Sequence, residues 1–173
     1  MKRIVSLSIL SVLVAFGLTA YLNACKPDPC VTRNVQCQNN GMCREGDCLC
    51  VSGFEGDSCQ FQVNEKFESL YACIRTKLIN EVLIDDNDDT LQVLKKTDRF
   101  GIRFYSIRDS INEVIDATVN GNFITIPRQE IQNNAYWGSG SLNKDVLTIT
   151  LYDSTITLGD TNRAKRTYVG YKF

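Results

Sequence analysis

From residue 61 onward, apolar and polar residues alternate in short runs separated by polar turns. Leu147, Ile149 and Leu151 share one face of an extended segment, opposite Val146, Thr148 and Thr150. Ile124 and Ile126 share a face, as do Ile115, Ala117 and Val119, and at the C-terminus Val169, Tyr171 and Phe173 oppose Tyr168 and Gly170. A period of two marks half-buried strands, because successive side chains point to opposite sides of a sheet. The pattern predicts strands over 68–76, 91–95, 101–107, 113–119, 122–127, 136–142, 146–152 and 164–172, while 77–84 fits either a strand or a short helix. These apolar sets are expected to form a core rather than line a ligand site. The run Asp85-Asp86-Asn87-Asp88-Asp89 reads as a turn, and Asn120-Gly121 as a two-residue hairpin. Gly138 and Gly140 point to a bend or a close backbone approach, with Trp137 packed against them. Short strands in close succession predict a mainly β fold, an antiparallel meander forming a barrel or a curled sheet.

Upstream the pattern changes. Lys2 and Arg3 precede an apolar run from Ile4 to Leu18, and the first acidic residue is Asp28. The run is too short for a membrane span of about 20 residues and has the layout of a secretory signal, so residues 1–24 are expected to be removed. It ends in Leu22-Asn23-Ala24-Cys25, which resembles the bacterial lipobox. That resemblance implies a lipid on Cys25, with residues 25–29 as a short tether. Ordinary cleavage after Ala24 is the alternative, for which Leu22 is bulky.

Six of the eight cysteines fall between Cys30 and Cys59. Export implies an oxidising compartment, so the cluster reads as a disulfide framework. Zinc is the alternative, but zinc sites tend to pair their cysteines in C-x2–4-C steps, unlike Cys48-Leu49-Cys50. Thirty residues cannot bury enough apolar surface to fold unaided, and each bridge supplies about 2–4 kcal/mol. If Cys25 carries lipid, an odd cysteine remains; Cys73 is then expected as a free thiol buried in a strand. If Cys25 is not lipidated, it and Cys73 could pair.

The spacing of Cys30, Cys37, Cys43, Cys48, Cys50 and Cys59, with Asn40-Gly41 before Cys43 and Gly53-Phe54-Glu55-Gly56 before Cys59, resembles an EGF-like domain over residues 30–60. The resemblance implies the pairs Cys30–Cys43, Cys37–Cys48 and Cys50–Cys59. The calcium-binding members of that family need an Asn or Asp followed by an aromatic between the third and fifth cysteines, which Arg44 to Leu49 does not provide. The whole chain resembles a group of small bacterial envelope lipoproteins in which a lipidated cysteine and an EGF-like module precede a lipocalin-like β domain, here residues 61–173. Lys66-Phe67, Tyr71, the stretch Asp116 to Pro127 and Trp137-Gly138-Ser139-Gly140 carry it. The chain departs from that pattern at Ser69-Leu70 and lacks a late cysteine to partner Cys73.

Composition narrows the chemistry. Setting aside Lys2 and Arg3 leaves 17 of the 19 basic residues against 20 acidic ones, which argues against a nucleic-acid partner. Histidine is absent, removing the usual acid–base group and commonest metal ligand. No cofactor or metal is expected, and the acidic run 85–89 lacks the glycine and distal glutamate of a calcium loop. Asp89-Thr90-Leu91, Asp109-Ser110-Ile111 and Asp153-Ser154-Thr155 match a short bacterial O-glycosylation acceptor, making Thr90, Ser110 and Ser154 candidate sites at turns or strand ends.

The expected function is non-enzymatic: an exported lipoprotein of the outer membrane or cell surface, held by its lipid, with the EGF-like module as spacer and the β domain contacting a protein or glycan partner. The alternative is a lipocalin-like carrier of a small apolar ligand. A cavity of several hundred Å3 inside the β domain is the mark of a carrier. A filled interior with an exposed apolar or aromatic patch is the mark of an interaction protein.

Overall fold

The computed structural model describes residues 27–108, 113–155 and 163–173. Residues 1–24 (the expected secretory signal), Cys25 and Ser110 lie outside the described residues.

The cysteine-rich module opens with a single helical turn, α1 (Pro29–Thr32), whose first turn is capped by Asp28 Oδ1 accepting from the Cys30 N–H at 2.9 Å. Two small hairpins follow: β1 (Met42–Arg44) with β2 (Asp47–Leu49), and β3 (Phe54–Glu55) with β4 (Phe61–Gln62). Disulfides join Cys30 to Cys43, Cys37 to Cys48 and Cys50 to Cys59, the interleaved order that the EGF-like resemblance implies. Because Phe54 pairs with Gln62, the module's last strand runs past residue 60.

Eight strands build the larger part: β5 (Ser69–Ile79), β6 (Val82–Lys95), β7 (Gly101–Ser106), β8 (Ile115–Asn120), β9 (Phe123–Ile131), β10 (Asn134–Asn143), β11 (Val146–Thr155) and β12 (Arg163–Lys172). Each pairs antiparallel with the next, and β12 returns to β5, so the meander is a closed barrel with no free edge. Gly121, at φ +57°, makes the β8–β9 hairpin that Asn120-Gly121 announces.

Residues 77–84, which fit either a strand or a short helix, take the strand: β5 and β6 meet in a turn at Asn80-Glu81, both with positive φ. Two local expectations are corrected. The acidic run 85–89 is not a turn but lies within β6, where Asp85 sits opposite Lys77 and Asn87 opposite Arg75. Basic residues across the ladder offset its charge. In β12 the inward face is Arg166, Tyr168 and Gly170, whereas Val169, Tyr171 and Phe173 are exposed.

Inside, the alternating residues of β8, β9 and β11 meet Tyr71, Leu91, Val93, Ile102, Phe104 and Tyr168 in one continuous core. Burying each large apolar side chain contributes about 1.5–3 kcal/mol. The void between Leu91, Phe104, Ile115, Leu151 and Tyr168 holds about 20 Å3, room for one water. The barrel is filled. Cys73 is a buried free thiol, and burial raises its pKa to about 11. In a Cys25→Ser chain, Ellman's reagent at mildly alkaline pH should therefore leave Cys73 unreacted in the folded protein and titrate it fully after denaturation. Rapid reaction without denaturant would mean that β5 opens in the native state.

Module and barrel are joined without slack. Asn64, fully buried, donates its Nδ2 hydrogens to the carbonyls of Asp98 (2.7 Å), Gly101 (2.9 Å) and Lys96 (3.3 Å) in the β6–β7 connection. The Arg99 guanidinium lies 4.8 Å over the Phe54 ring, and Lys66 pairs with Glu55 at 2.8 Å. Gly53, at φ +93°, leaves room for Arg99 and Phe100 that a side chain would fill. The module thus closes one end of the barrel, here called proximal.

Candidate functional site: the distal end of the barrel

The opposite, distal end carries the Asn80-Glu81 turn, the β9–β10 turn and the ends of β7 and β11. Its inward side chains are charged. Arg75 reaches Asp85 at 3.1 Å, and Arg166 reaches Asp153 at 2.8 Å. Asp89, 5% exposed, accepts from Ser106 Oγ and the Thr90 N–H, both at 2.6 Å. The Tyr136 phenol is driven well above its ordinary pKa, first by burial and then by hydrogen bonding to the carboxylate of Glu113. Burial also raises the Asp153 carboxyl, against the opposing pull of Arg166 and Lys77. These groups compensate one another and act as an ionic plug above the apolar core; an open recess of about 310 Å3 lies beside it, against Arg75, Asn87, Asp88, Asp89 and Arg108.

The acidic run forms no calcium cage. Its side chains alternate across the strand, so Asp85 and Asp89 point inward while Asp86 and Asp88 point outward. Among the described residues no three cysteine or carboxylate side chains converge on a point that could hold a metal.

The outer face holds a feature that alternation alone did not reveal. The ladder registers align Trp137 with Tyr152, Tyr152 with Lys165, Lys165 with Leu78, and Leu78 with Leu83 across five adjacent strands. Trp137 and Tyr152 stack at 5.9 Å with planes 17° apart, and the Arg128 guanidinium covers the Trp137 ring at 5.2 Å. Trp137 is therefore part of an outward row and is not packed on Gly138 and Gly140. Those glycines serve instead where β10 approaches the carbonyls of Thr150 and Thr148 on β11. Beside the row opens a cleft of about 800 Å3, bounded by Trp137, Tyr152, Leu78, Asn80, Arg163 and Lys165. At its margin the β5–β6 turn projects Val82, Leu83 and Ile84, each more than half exposed. The exposed aliphatic residues and the aromatic pair are thus two apolar patches of one rim, linked through Leu78 and separated by Lys165, with Glu81 and Arg163 beside the cleft. The row was not visible beforehand because its members come from five strands whose registers only the closed barrel sets.

The candidate glycosylation residues are not gathered there as a group. Thr90 is half-buried in mid-β6, and the aspartate before it is occupied inside the barrel. Ser154 lies near the end of β11, and its preceding Asp153 is bound to Arg166.

Residues 34–62 match the teneurin-like EGF domain family, a stretch that begins after α1 and Cys30 and ends with β4. A search of curated proteins finds no match for the chain. The chain is thus similar to a teneurin-like EGF domain over those residues, and the barrel's role rests on its own geometry.

Proposed function

We propose that this chain is a bacterial envelope lipoprotein, exported by residues 1–24, held in the outer membrane or at the cell surface by a lipid on Cys25, and acting as a non-enzymatic binding protein. The EGF-like module is its spacer, and the distal rim of the barrel is the surface that meets a protein or glycan partner. The observation that carries the binding reading is the pairing of a filled barrel with an exposed aromatic and aliphatic rim at the end away from the module. A carrier needs several hundred Å3 of enclosed volume, whereas the void among the core residues holds about 20 Å3 and the larger recesses are open clefts, which favours binding at the surface over carriage inside the barrel. The absence of histidine and the filled interior favour binding over catalysis.

Two measurements test this. Labelling cells with a radioactive fatty acid should mark the wild-type chain and not a Cys25→Ser chain; equal labelling would remove the anchor. Separately, envelope glycans and detergent-solubilised surface proteins from the source cells should be retained by the immobilised chain. A Leu83→Asp, Tyr152→Ala double variant with an unchanged circular dichroism spectrum should lose at least about tenfold in retention, the scale of one or two central contacts. Equal retention by the variant, or an apolar molecule co-purifying in native mass spectrometry, would overturn the assignment of the rim.

A further inference from the structure

The module exposes apolar residues that the barrel does not cover. Met42 and Leu49 are direct partners in the β1–β2 hairpin, 71% and 51% exposed. Cys43 and Cys48, the next pair, point to the other face and into their bridges, so Met42 and Leu49 look away from the module's own interior. Phe54 and Gly53, by contrast, are the residues that meet Arg99 and Phe100 of the barrel side. Val31, on α1, is exposed as well.

We infer that this face of the module rests on the lipid surface, making the module a foot and not only a spacer. The inference builds on the proposed lipid at Cys25. From Cys25 to Cys30 are five residue steps, which reach at most about 18 Å when fully extended. The Cα of Cys43 lies 6.0 Å from that of Cys30, and Met42 is one further step of about 3.8 Å away. Chain length alone therefore permits the exposed Met42–Leu49 pair to reach the headgroups. A protein partner on this face would have to fit between the module and the bilayer. The neighbouring Arg44–Asp47 pair on the same face is charge-neutral, which suits a headgroup layer carrying both signs. A second point of apolar contact also limits how freely a lipid-tethered protein can tumble. Because Asn64 and the Phe54–Arg99 contact lock the module to the barrel, a seated foot fixes the orientation of the barrel on the membrane.

The test uses the full lipidated chain in vesicles of phosphatidylethanolamine and phosphatidylglycerol with brominated acyl chains. Trp137 is the chain's single tryptophan and sits in the distal half of β10, so the wild-type emission is expected to be unchanged by bromine. Met42→Trp and Leu49→Trp should each add emission that brominated lipid removes by more than half, whereas Leu83→Trp should add emission that it leaves intact. If the chain floats with vesicles but the emission added by Met42→Trp and by Leu49→Trp is unquenched, the foot is wrong and the lipid anchor stands. If the chain fails to float and behaves like Cys25→Ser, the anchor reading falls and takes the foot with it.

Discussion

Replacing Arg166 by Met is expected to cost the folded chain about 3 kcal/mol, because it strips the cation from a largely buried carboxylate. Arg166 is 6% exposed and its Nη2 lies 2.8 Å from Asp153 Oδ2. Burial already raises the Asp153 carboxyl, and Arg166 is the nearest group pulling it back. Without that pull the native-state pKa climbs further above the unfolded value. A carboxyl raised on folding has its full stability below the unfolded pKa and loses it as pH rises through the folded one. The Arg166→Met penalty should therefore be largest at neutral pH and shrink toward about pH 4, where the buried group can protonate. Urea denaturation at both pH values reads this directly. The double replacement Asp153→Leu, Arg166→Met removes both charges and should recover most of the loss, since a buried ion pair is often no better than an apolar pair of similar volume. A double variant as unstable as the single one would mean that the plug's other partners, and not the ion pair, depend on these positions.

That plug also marks the limit of what could be read beforehand. Strands signalled by local alternation were legible: Leu147, Ile149 and Leu151, or Ile115, Ala117 and Val119, bury as their spacing predicts. The Asn120-Gly121 hairpin and the cysteine framework were legible for the same reason, since each needs only neighbours in sequence. Asp85 to Asp89 were not. Five polar residues have no intrinsic reason to extend, and they do so because β5 places Arg75 and Lys77 across from them. The Asn80-Glu81 turn was hidden because glutamate is an unusual residue at positive φ. The face of β12 was misread because Val169 and Tyr171 look more apolar than Arg166 and Gly170. The packing inverts that order: Gly170 is needed where the Cys73 sulfur fills the space a side chain would take, and Arg166 has its anion inside. The outer row from Trp137 to Leu83 depends on the β12–β5 closure, a contact between the two ends of the domain that no local pattern reports.

Gly138→Ala should be the most damaging single-methyl substitution in the barrel wall, at about 3 kcal/mol, the upper part of the range for overpacking. A Cβ at Gly138 would overlap the Thr150 carbonyl and press on the Cα of Leu151 at 3.2 Å. Both are backbone atoms of β11, which cannot swing aside as the end of a side chain can. Their strand is held on its far side by nine residue pairs with β12. Gly140 repeats the approach two residues on, where a Cβ would lie 2.5 Å from the Thr148 carbonyl. Gly121→Ala is the matched control: nothing lies within 4 Å of a Cβ there, and its φ of +57° makes the strain purely conformational, about 1–2 kcal/mol. In a domain of this size each kcal/mol moves the melting temperature by roughly 4 °C, so Gly138→Ala should melt about 10 °C below wild type and below Gly121→Ala. If the two variants melt together, β10 can move away from β11 at little cost, and the close approach at Gly138 is not what holds the wall of the barrel in register.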